Sequence, residues 1–276
     1  MSIKYEVARW TLNRVGNHRG LLRILREELG LRIAKSLGDR VRYGPLKGSI
    51  LSTNETFSPA AKAGKVLGLY EQPIQQLIAA HGPFARGLFV GAADGYYGIG
   101  TAAVGLVQAS YCWDIDPRSQ IALAQTAALN AVSDRVRVFG AIDEEAIARE
   151  VGVSALGPQD LVMVDIEGAE FDLLSDRVLD SFGSALVIIE LHPGLVANGM
   201  QRVNELIDKV RGKSNFRVIT DQGRSLVGIA EVADLTDDER NLLCSEGRGF
   251  QMSWLVFGGR PTATAPAATS PGYALA

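Results

Sequence analysis

Acidic side chains and a histidine follow two apolar runs in the second half of the chain. The run DLVMV is followed by Asp165 and Glu167, and the run ALVII is followed by Glu190 and His192. Carboxylates and imidazoles are costly to bury unless a ligand, a metal ion or mutual hydrogen bonds satisfy them. Their position after buried-strand patterns therefore predicts a cleft in which they act together. Glu170 follows in the same segment, and we interpret it as a favourable charge in the first turn of a helix.

A glycine-containing segment, GAADGYYG at 91–98, follows an earlier apolar run, GLFV. Glycines allow a tight turn from strand to helix and let a ligand approach the backbone closely. The spacing G-x-x-x-G-x-x-G differs from the G-x-G-x-x-G of dinucleotide-binding loops, and Asp94 within it would repel a pyrophosphate. An acid at this place suits a ligand with a positive group, such as the ammonium or sulfonium of S-adenosylmethionine.

The next apolar run, SYCW, is followed by Asp114, Ile115 and Asp116, ahead of Pro117. Asp114 lies 23 residues after Gly91, about where an acid at the end of a second strand accepts hydrogen bonds from ribose hydroxyls. Ile115 would then flank the adenine. We interpret Asp116 as the N-cap of a helix that begins with Pro117. Enzymes that bind NAD use a similar acid, so this segment predicts a nucleoside without choosing which one.

The elements that must position these residues alternate between strands and helices. Helical stretches such as IALAQTAALNAV and MQRVNELIDKVRG separate most of the apolar runs. This alternation predicts an α/β fold with a doubly wound, mostly parallel sheet covered on both faces. Ligands bind outside the carboxyl ends of the strands in such sheets. The predicted strands are GLFVGAA, SYCWDID, RVRVFGA, DLVMVDIE, ALVIIELH and FRVIT, with FQMSWLVFG as a closing edge strand.

The two ends of the chain differ in character from its middle. We predict a basic helical arm and linker over residues 1–61, a Rossmann-like domain over 62–260 and a disordered tail over 261–276. Apolar residues recur in the arm at steps of three and four, which predicts one buried helical face. That face consists of Leu21, Leu22, Leu25, Leu29 and Ile33. A short helix is expected over Gln72–His81, with Ile74, Leu77 and Ile78 facing inward.

Composition describes a soluble globular chain of 276 residues, 47% hydrophobic and 21% charged, with a net charge of -3. The first 48 residues hold eleven Lys or Arg against four acidic residues. We interpret this basic arm as a solvated face against the acidic remainder and expect no nucleic-acid partner, because few aromatic residues interleave with the bases. No apolar run reaches the ~18 residues of a membrane-spanning helix. Two cysteines, Cys112 and Cys244, make no disulfide framework, so a reducing cytoplasmic setting is expected.

The segments GAADGYYGIG, DIDP, VMVDIEGAEFDLL and VIIELH together resemble the FkbM-type branch of S-adenosylmethionine-dependent methyltransferases. That resemblance extends over roughly residues 62–258 and implies a class I Rossmann-like methyltransferase fold with S-adenosylmethionine as cofactor. Leu69, Tyr70 and Glu71 are similar to the segment that leads into the first strand of related proteins.

Site roles follow from the resemblance, position by position. It implies that Gly91, Ala92, Asp94 and Gly95 line the methionine part of the cofactor. It further implies that Asp114 binds the ribose, that Ile115 flanks the adenine and that Ala141 lies near the adenine edge. Such methyltransferases usually carry an acid two residues before the first glycine of the loop, where this chain has Phe89. The ammonium of the cofactor must then be held by Asp94, Glu71 or Asp165.

The leading hypothesis is methyl transfer from S-adenosylmethionine to a hydroxyl oxygen of a small-molecule, sugar or lipid acceptor. His192 and Glu167 are the candidate general bases, and Glu190 is expected to orient the imidazole. A divalent metal ion on Asp165, Glu167 and Glu190 is the less favoured alternative, because the spacing fixes no coordination geometry.

Two hypotheses of other classes stay open at this point. One is an NAD-linked oxidoreductase of similar fold, and the other is a catalytically silent nucleoside-binding module whose basic arm recruits a partner. The apolar arm helix is a candidate contact for a homodimer.

Overall fold

A computed structural model describes residues 18–51, 59–152, 155–221 and 223–260 of the chain. Its centre is a seven-stranded sheet whose strands, numbered along the chain, lie in the order β3-β2-β1-β4-β5-β7-β6. The first five strands are mutually parallel where they pair. The strands are β1 Phe84–Val90, β2 Val107–Trp113, β3 Val136–Phe139, β4 Asp160–Val164, β5 Leu186–Leu191, β6 Phe216–Thr220 and β7 Ser253–Phe257.

Apolar residues build the centre of this sheet because both of its faces are covered. Every residue of β4 and β5 is buried, as expected for parallel strands between two helical layers. One core cluster contains Leu161 and Ile188, and a second contains Val162 and Ile189, so neighbouring residues face opposite layers. The predicted doubly wound, mostly parallel α/β sheet is confirmed.

The last strand differs from the sequence prediction. β7 does not close the sheet as an edge strand, because it lies between β5 and β6 and runs antiparallel to both. Four of its five residues are buried, whereas all of β6 is half-buried and forms the edge. Ser253, at the start of β7, pairs with Leu191, at the end of β5. The loop before β7 therefore reaches the edge of the sheet where the parallel strands end.

Nine α-helices surround the sheet within the described residues: α1 His18–Leu37, α2 Pro59–Val66, α3 Gln72–His81, α4 Gly98–Ala103, α5 Pro117–Leu129, α6 Glu170–Leu173, α7 Asp176–Ser181, α8 Gly199–Arg211 and α9 Asp237–Leu243. α3 has the predicted bounds, and its Ile74, Leu77 and Ile78 are buried. Asp116 is the N-cap of α5 as predicted, because its carboxylate accepts a hydrogen bond from the backbone N–H of Arg118.

The described part of the N-terminal arm packs on the same core as the sheet. Leu29 and Ile33 of α1 are buried, but Leu22 and Leu25 are exposed, so the predicted buried face is wrong at these two positions. The side chain of Leu21 lies outside the described part of the chain. α2 packs against the second half of α1, where Gly30 lies so close to the Pro59 carbonyl that a Cβ would be 2.6 Å from it. Periodicity alone does not show how far along a helix its covering partner extends.

Basic residues of α1 contact the acidic remainder of the chain, as the interpretation of the arm expected. Arg32 forms an ion pair with Glu239 of α9, and Arg26 donates hydrogen bonds to the Leu242 carbonyl and to Ser245. The predictions for residues 1–17, for 52–58 of the linker and for the tail at 261–276 lie outside the described residues. None of the described helices is long and apolar enough to cross a membrane.

Candidate active site

The carboxyl ends of β1 and β4 meet at Gly91. Its backbone adopts φ +81°, and a Cβ there would lie 1.7 Å from the Asp165 carbonyl oxygen. Only glycine fits this close approach. The N–H groups of Gly91 and Ala92 donate to the Trp113 carbonyl at the end of β2, at 2.9 and 3.1 Å. The ends of β1, β2 and β4 are thereby fixed to one another.

Asp114 lies at the end of β2 beside this contact. One of its carboxylate oxygens accepts a hydrogen bond from the Ala93 N–H and the other from the Asp116 N–H, both at 2.9 Å. These bonds hold the half-buried carboxylate against the glycine-containing loop. Ile115 beside it is 80% exposed, so an apolar surface is free next to the carboxylate. Ala141, after β3, is also exposed.

Asp94 occupies the same loop but is paired with a cation. Its Oδ2 lies 2.6 Å from Nζ of Lys65 in α2, and its Oδ1 accepts a hydrogen bond from the Tyr96 N–H at 3.2 Å. Gly95 is buried, and a Cβ there would lie 2.5 Å from Ile99. The side-chain position of Gly95 therefore points into the protein core.

His192, after β5, is 2% exposed, and Glu170 determines how its ring is held. The Glu170 side chain is fully buried, and its Oε1 accepts from the His192 N–H at 2.9 Å and lies 3.3 Å from Nδ1 of the ring. Its Oε2 accepts from the Gly168 N–H at 2.8 Å. A carboxylate placed at Nδ1 favours a proton there and leaves Nε2 as the outer nitrogen of the ring, which faces the acids at the strand ends.

Three carboxylates surround that outer nitrogen. Nε2 of His192 lies 3.5 Å from Asp165 Oδ1, 3.6 Å from Glu167 Oε2 and 3.9 Å from Glu190 Oε1. Glu167 has φ +52° and a side chain that is 76% exposed, so it stands at the mouth of the cluster. The pKa of His192 is raised: burial lowers it, but hydrogen bonding to Glu170 and the charges of Glu190, Glu170 and Glu167 together outweigh burial.

The guanidinium of Arg248 contacts two buried carboxylates of this region, those of Glu190 and Glu71. Arg248, in the loop before β7, donates to both carboxylates and to Glu246. Glu71 also accepts a hydrogen bond from the Tyr97 hydroxyl at 3.0 Å, and its side chain is 1% exposed. Glu190 was expected to orient the imidazole, but the carboxylate at Nδ1 is that of Glu170. The structure connects Glu190 instead to Arg248.

Too few positive charges lie here to ionise every acid. Burial, followed by the charge of Asp165, raises the pKa of Glu190 to about 8. Burial, followed by the charge of Glu190, raises the pKa of Glu71 to about 8. Burial, followed by the charges of Glu71 and Glu167, raises the pKa of Asp165 to about 7. Near neutral pH the cluster therefore holds protons that isolated carboxylates would have lost.

Asp165, Glu190 and His192 are the group among the described residues that could hold a metal ion. Each offers one ligand atom, and these atoms lie within 4.8 Å of one another. The alternative set from the sequence had Glu167 in place of His192. Because Glu190 Oε1 already accepts a hydrogen bond from Arg248, a divalent cation on this carboxylate would be repelled by the adjacent guanidinium. We therefore base the functional proposal on a site without a metal ion.

A cleft of about 850 Å³ elsewhere on the surface is a poorer candidate. Glu145, Arg149, Arg177 and Asp180 line it, and these exposed side chains form ion pairs that include Arg177–Glu145. None of the site residues at the ends of β1, β2, β4 and β5 lines this cleft.

Three site residues were not predicted from the sequence. Glu170 was interpreted as a helix charge because it stands in the first turn of α6, yet its side chain is buried beneath His192. Arg248 could have been found from an antiparallel β7, which brings the preceding loop to the end of β5. No sequence signal marks Lys65, which depends on the packing of α2.

No family model and no curated protein matches this sequence. Solved structures are similar at low identity. The O-methyltransferase TomG from Streptomyces achromogenes, solved with SAM, is 16% identical, with 76% of this chain and 92% of that chain covered and a TM-score of 0.46. An O-methyltransferase from Bacillus cereus, solved with SAH, is 12% identical, with 84% and 90% covered and a TM-score of 0.47.

Another similar structure is a precorrin 8W decarboxylase from Methanobacterium thermoautotrophicum. It is 15% identical, with 68% of this chain and 88% of that chain covered and a TM-score of 0.45. The strand order 3-2-1-4-5-7-6, with an antiparallel seventh strand, gives this chain a Rossmann-like α/β fold.

Proposed function

We propose that this protein is an S-adenosylmethionine-dependent methyltransferase that methylates a hydroxyl oxygen of a small molecule. The observation that carries the proposal is the contact of Gly91 with both Trp113 and Asp165. It brings a carboxylate suited to a ribose, Asp114, and an imidazole suited to proton transfer, His192, to one edge of the sheet. The DIEGAE and ELH segments, which contain the acids and the histidine of this edge, favour the FkbM-type branch.

The cofactor residues are proposed from their place in this contact. Asp114 would accept hydrogen bonds from the ribose hydroxyls, and exposed Ile115 would flank the adenine. Ala141 lies beyond the neighbouring strand and would border the adenine edge. The backbone at Gly91 and Ala92 would line the sulfur end, because these residues lie between Asp114 and Asp165.

The remaining acids, Glu71 and Asp165, differ in their hydrogen-bond partners. Glu71 is bonded to Arg248 and Tyr97 and supports the site from below. Buried Oδ1 of Asp165 has no hydrogen-bond partner among the described residues and faces His192. Asp165 would therefore interact with the positively charged sulfonium side of the cofactor rather than with a protein cation.

His192 is the proposed general base, held by Glu170. When bound, S-adenosylmethionine would supply an activated methyl group to the acceptor hydroxyl oxygen, and S-adenosylhomocysteine would be the product that leaves. The hydroxyl proton moves to Nε2 of His192, while Glu170 stabilises the proton at Nδ1. Such a base contributes roughly 10²–10⁴-fold to the rate. Exposed Glu167, 3.6 Å from Nε2, could pass that proton to solvent.

Calorimetric titration with S-adenosylhomocysteine tests the proposal. Asp114→Asn should weaken binding by about 10- to 100-fold, since hydrogen bonds to a charged group contribute about 1.5–3 kcal/mol. Asp116→Asn is the matched control, because asparagine caps a helix as well as aspartate does. No heat of binding to the unchanged protein at millimolar ligand would refute the proposal.

The role of His192 needs a separate measurement. With labelled S-adenosylmethionine and a panel of phenols, sugars and hydroxylated lipids, His192→Asn should keep cofactor affinity and lose methyl transfer. Methyl transfer at an unchanged rate in this variant would refute the base assignment while leaving the cofactor assignment intact.

A further inference from the structure

Two large apolar side chains are exposed on the loops next to His192. Leu195 is 50% exposed and Phe250 is 41% exposed. Leu195 ends the short turn Pro193–Leu195 that follows His192, and its N–H donates to the His192 carbonyl at 3.1 Å. Phe250 lies in the loop before β7, two residues after Arg248. Exposed apolar groups beside a few polar ones are typical of a surface that binds a small molecule.

The turn after β5 holds these two side chains next to each other. A Cβ at Gly194 would lie 3.4 Å from the ring of Phe250, so the ring packs against Gly194, next to Leu195. The same turn contacts the loop after β4, since a Cβ at Gly168 would lie 3.5 Å from Cβ of Leu195. The loops after β4, after β5 and before β7 thereby form one continuous rim beside the imidazole of His192. Two adjacent apolar groups at a candidate site differ from single apolar residues scattered over a surface.

The exposed charge of this rim is negative. Glu167 Oε2 lies 3.6 Å from Nε2 of His192, and the Glu167 side chain is 76% exposed. Within the described parts of the chain, His192 is the only basic side chain that pairs with Glu167. The guanidinium of Arg248 already contacts three carboxylates. An acceptor that carries its own carboxylate or phosphate would be repelled by Glu167, so the rim favours an acceptor without negative charge.

An imidazole base also distinguishes between kinds of hydroxyl group. The phenolic hydroxyl of tyrosine has a pKa of about 10, whereas an alkyl alcohol is closer to water, whose pKa is about 15.7. A proton passes to a base of given strength more readily from the more acidic hydroxyl. Aromatic rings also attract one another in offset or edge-to-face arrangements, and Phe250 presents such a ring.

We propose that the methyl acceptor is a neutral phenol whose ring lies against Leu195 and Phe250, with its hydroxyl directed to Nε2 of His192. This inference rests on the proposed function and adds the class of the acceptor. The phenol oxygen gives its proton to Nε2 and receives the methyl group, so an aryl methyl ether and S-adenosylhomocysteine are the products. Leu195 and Phe250 contact the ring and not the reacting oxygen, so they determine specificity.

Two matched pairs of acceptors, assayed with labelled S-adenosylmethionine, test the class of acceptor. 4-Methylphenol against 4-methylcyclohexanol compares an aromatic with an aliphatic hydroxyl of similar size. Methyl 3-hydroxybenzoate against 3-hydroxybenzoate compares a neutral phenol with a charged one. In each pair the first compound should have a kcat/KM higher by roughly tenfold or more.

Substitutions on the rim test where the ring binds. Leu195→Ala and Phe250→Ala should each raise the KM for 4-methylphenol about tenfold, because each removes apolar contact area from the ring. Calorimetry should show an affinity for S-adenosylhomocysteine within about twofold of the unchanged protein, since neither residue is assigned to the cofactor. Phe250→Tyr keeps the aromatic face and should retain most of the activity. Leu129→Ala is the matched control, because Leu129 ends α5 and is 48% exposed.

Outcomes for the inference and for the proposed function are distinct. If the unchanged protein does not bind S-adenosylhomocysteine, both fail. If 4-methylcyclohexanol is methylated as well as 4-methylphenol, or if both alanine variants behave like Leu129→Ala, the inference is refuted and the proposed function stands. If no acceptor is methylated, fluorine NMR of 4-fluorophenol with the protein and S-adenosylhomocysteine decides. Binding that Phe250→Ala weakens and Leu129→Ala leaves unchanged supports the inference, and no binding refutes it.

Discussion

Replacing Glu190 with glutamine should change how stability depends on pH. Glu190 is fully buried, and its folded-state pKa of about 8 lies far above the ordinary 4.5. The folded protein therefore holds a proton that the unfolded chain releases at lower pH. The stability that this proton contributes is fully present below the pKa of Glu190 in the unfolded chain, and it is lost as pH rises through about 8. The raised pKa values of Asp165 and His192 act in the same direction.

The magnitude follows from the shift. One pKa unit corresponds to about 1.4 kcal/mol, so the change from 4.5 to about 8 sets a ceiling of about 5 kcal/mol. Because the charge of Asp165 contributes to the shift of Glu190, the two carboxyls titrate as a pair. We expect the free energy of unfolding to fall by about 2–5 kcal/mol between about pH 5 and about pH 9. This pH window excludes the more acidic range, where the lowered pKa values of Glu170 and Glu246 make stability fall as pH falls.

Urea unfolding at several pH values measures this effect without any substrate. Glu190→Gln mimics the protonated side chain and keeps an acceptor for Arg248. The free energy of unfolding of this variant should depend less on pH, and at about pH 9 the variant should be more stable than the unchanged protein. Glu205→Gln, at an exposed position on α8, is the control and should leave the slope as it is. A stability that rises across this window, or a variant as steep as the unchanged protein, would show that the buried carboxyls are not protonated.

Three further perturbations test other contacts of the site. Glu170→Gln should lower the pKa of His192, measured by NMR titration of its ring, because Glu170 raises that pKa through its hydrogen bond and charge; an unmoved titration would contradict the assignment. Arg248→Met should cost about 3–5 kcal/mol in urea unfolding at about pH 9 and less at about pH 6, where two of its carboxylate partners, Glu71 and Glu190, hold protons; an equal loss at both pH values would contradict the raised pKa values of these two groups. Gly91→Ala should lower the melting temperature much more than Gly105→Ala. Both positions have positive φ, but of the two only Gly91 would bring its new Cβ against another backbone. Equal losses would show that the close contact between the ends of β1 and β4 does not require glycine.

The sheet and the positions of the acidic strand ends were predictable because they depend on local pattern. Apolar runs bounded by glycine or charge determine where β1, β2, β4 and β5 end, and parallel strands place those ends at one edge. Asp165, Glu167, Glu190 and His192 meet there for that reason. The N-cap at Asp116 is equally local, since it needs only an acid before a proline at the start of a helix.

The contacts that the sequence did not predict depend on packing between segments that lie far apart in the chain or on backbone turns. Arg248 reaches Glu71 and Glu190 because β7 inserts between β5 and β6, and an apolar run alone does not say where in a sheet it lies. Lys65 meets Asp94 through the docking of α2. Glu170 looks like a helix charge in sequence, but the turn at Gly168, with φ +102°, carries its side chain back beneath β5.

The most direct test of the central claim is a crystal structure grown with S-adenosylhomocysteine. In that structure the ribose hydroxyls should contact the Asp114 carboxylate, and the open side of the sulfur atom should face Nε2 of His192. A ligand bound away from the ends of β1, β2 and β4, or a sulfur turned away from His192, would contradict it.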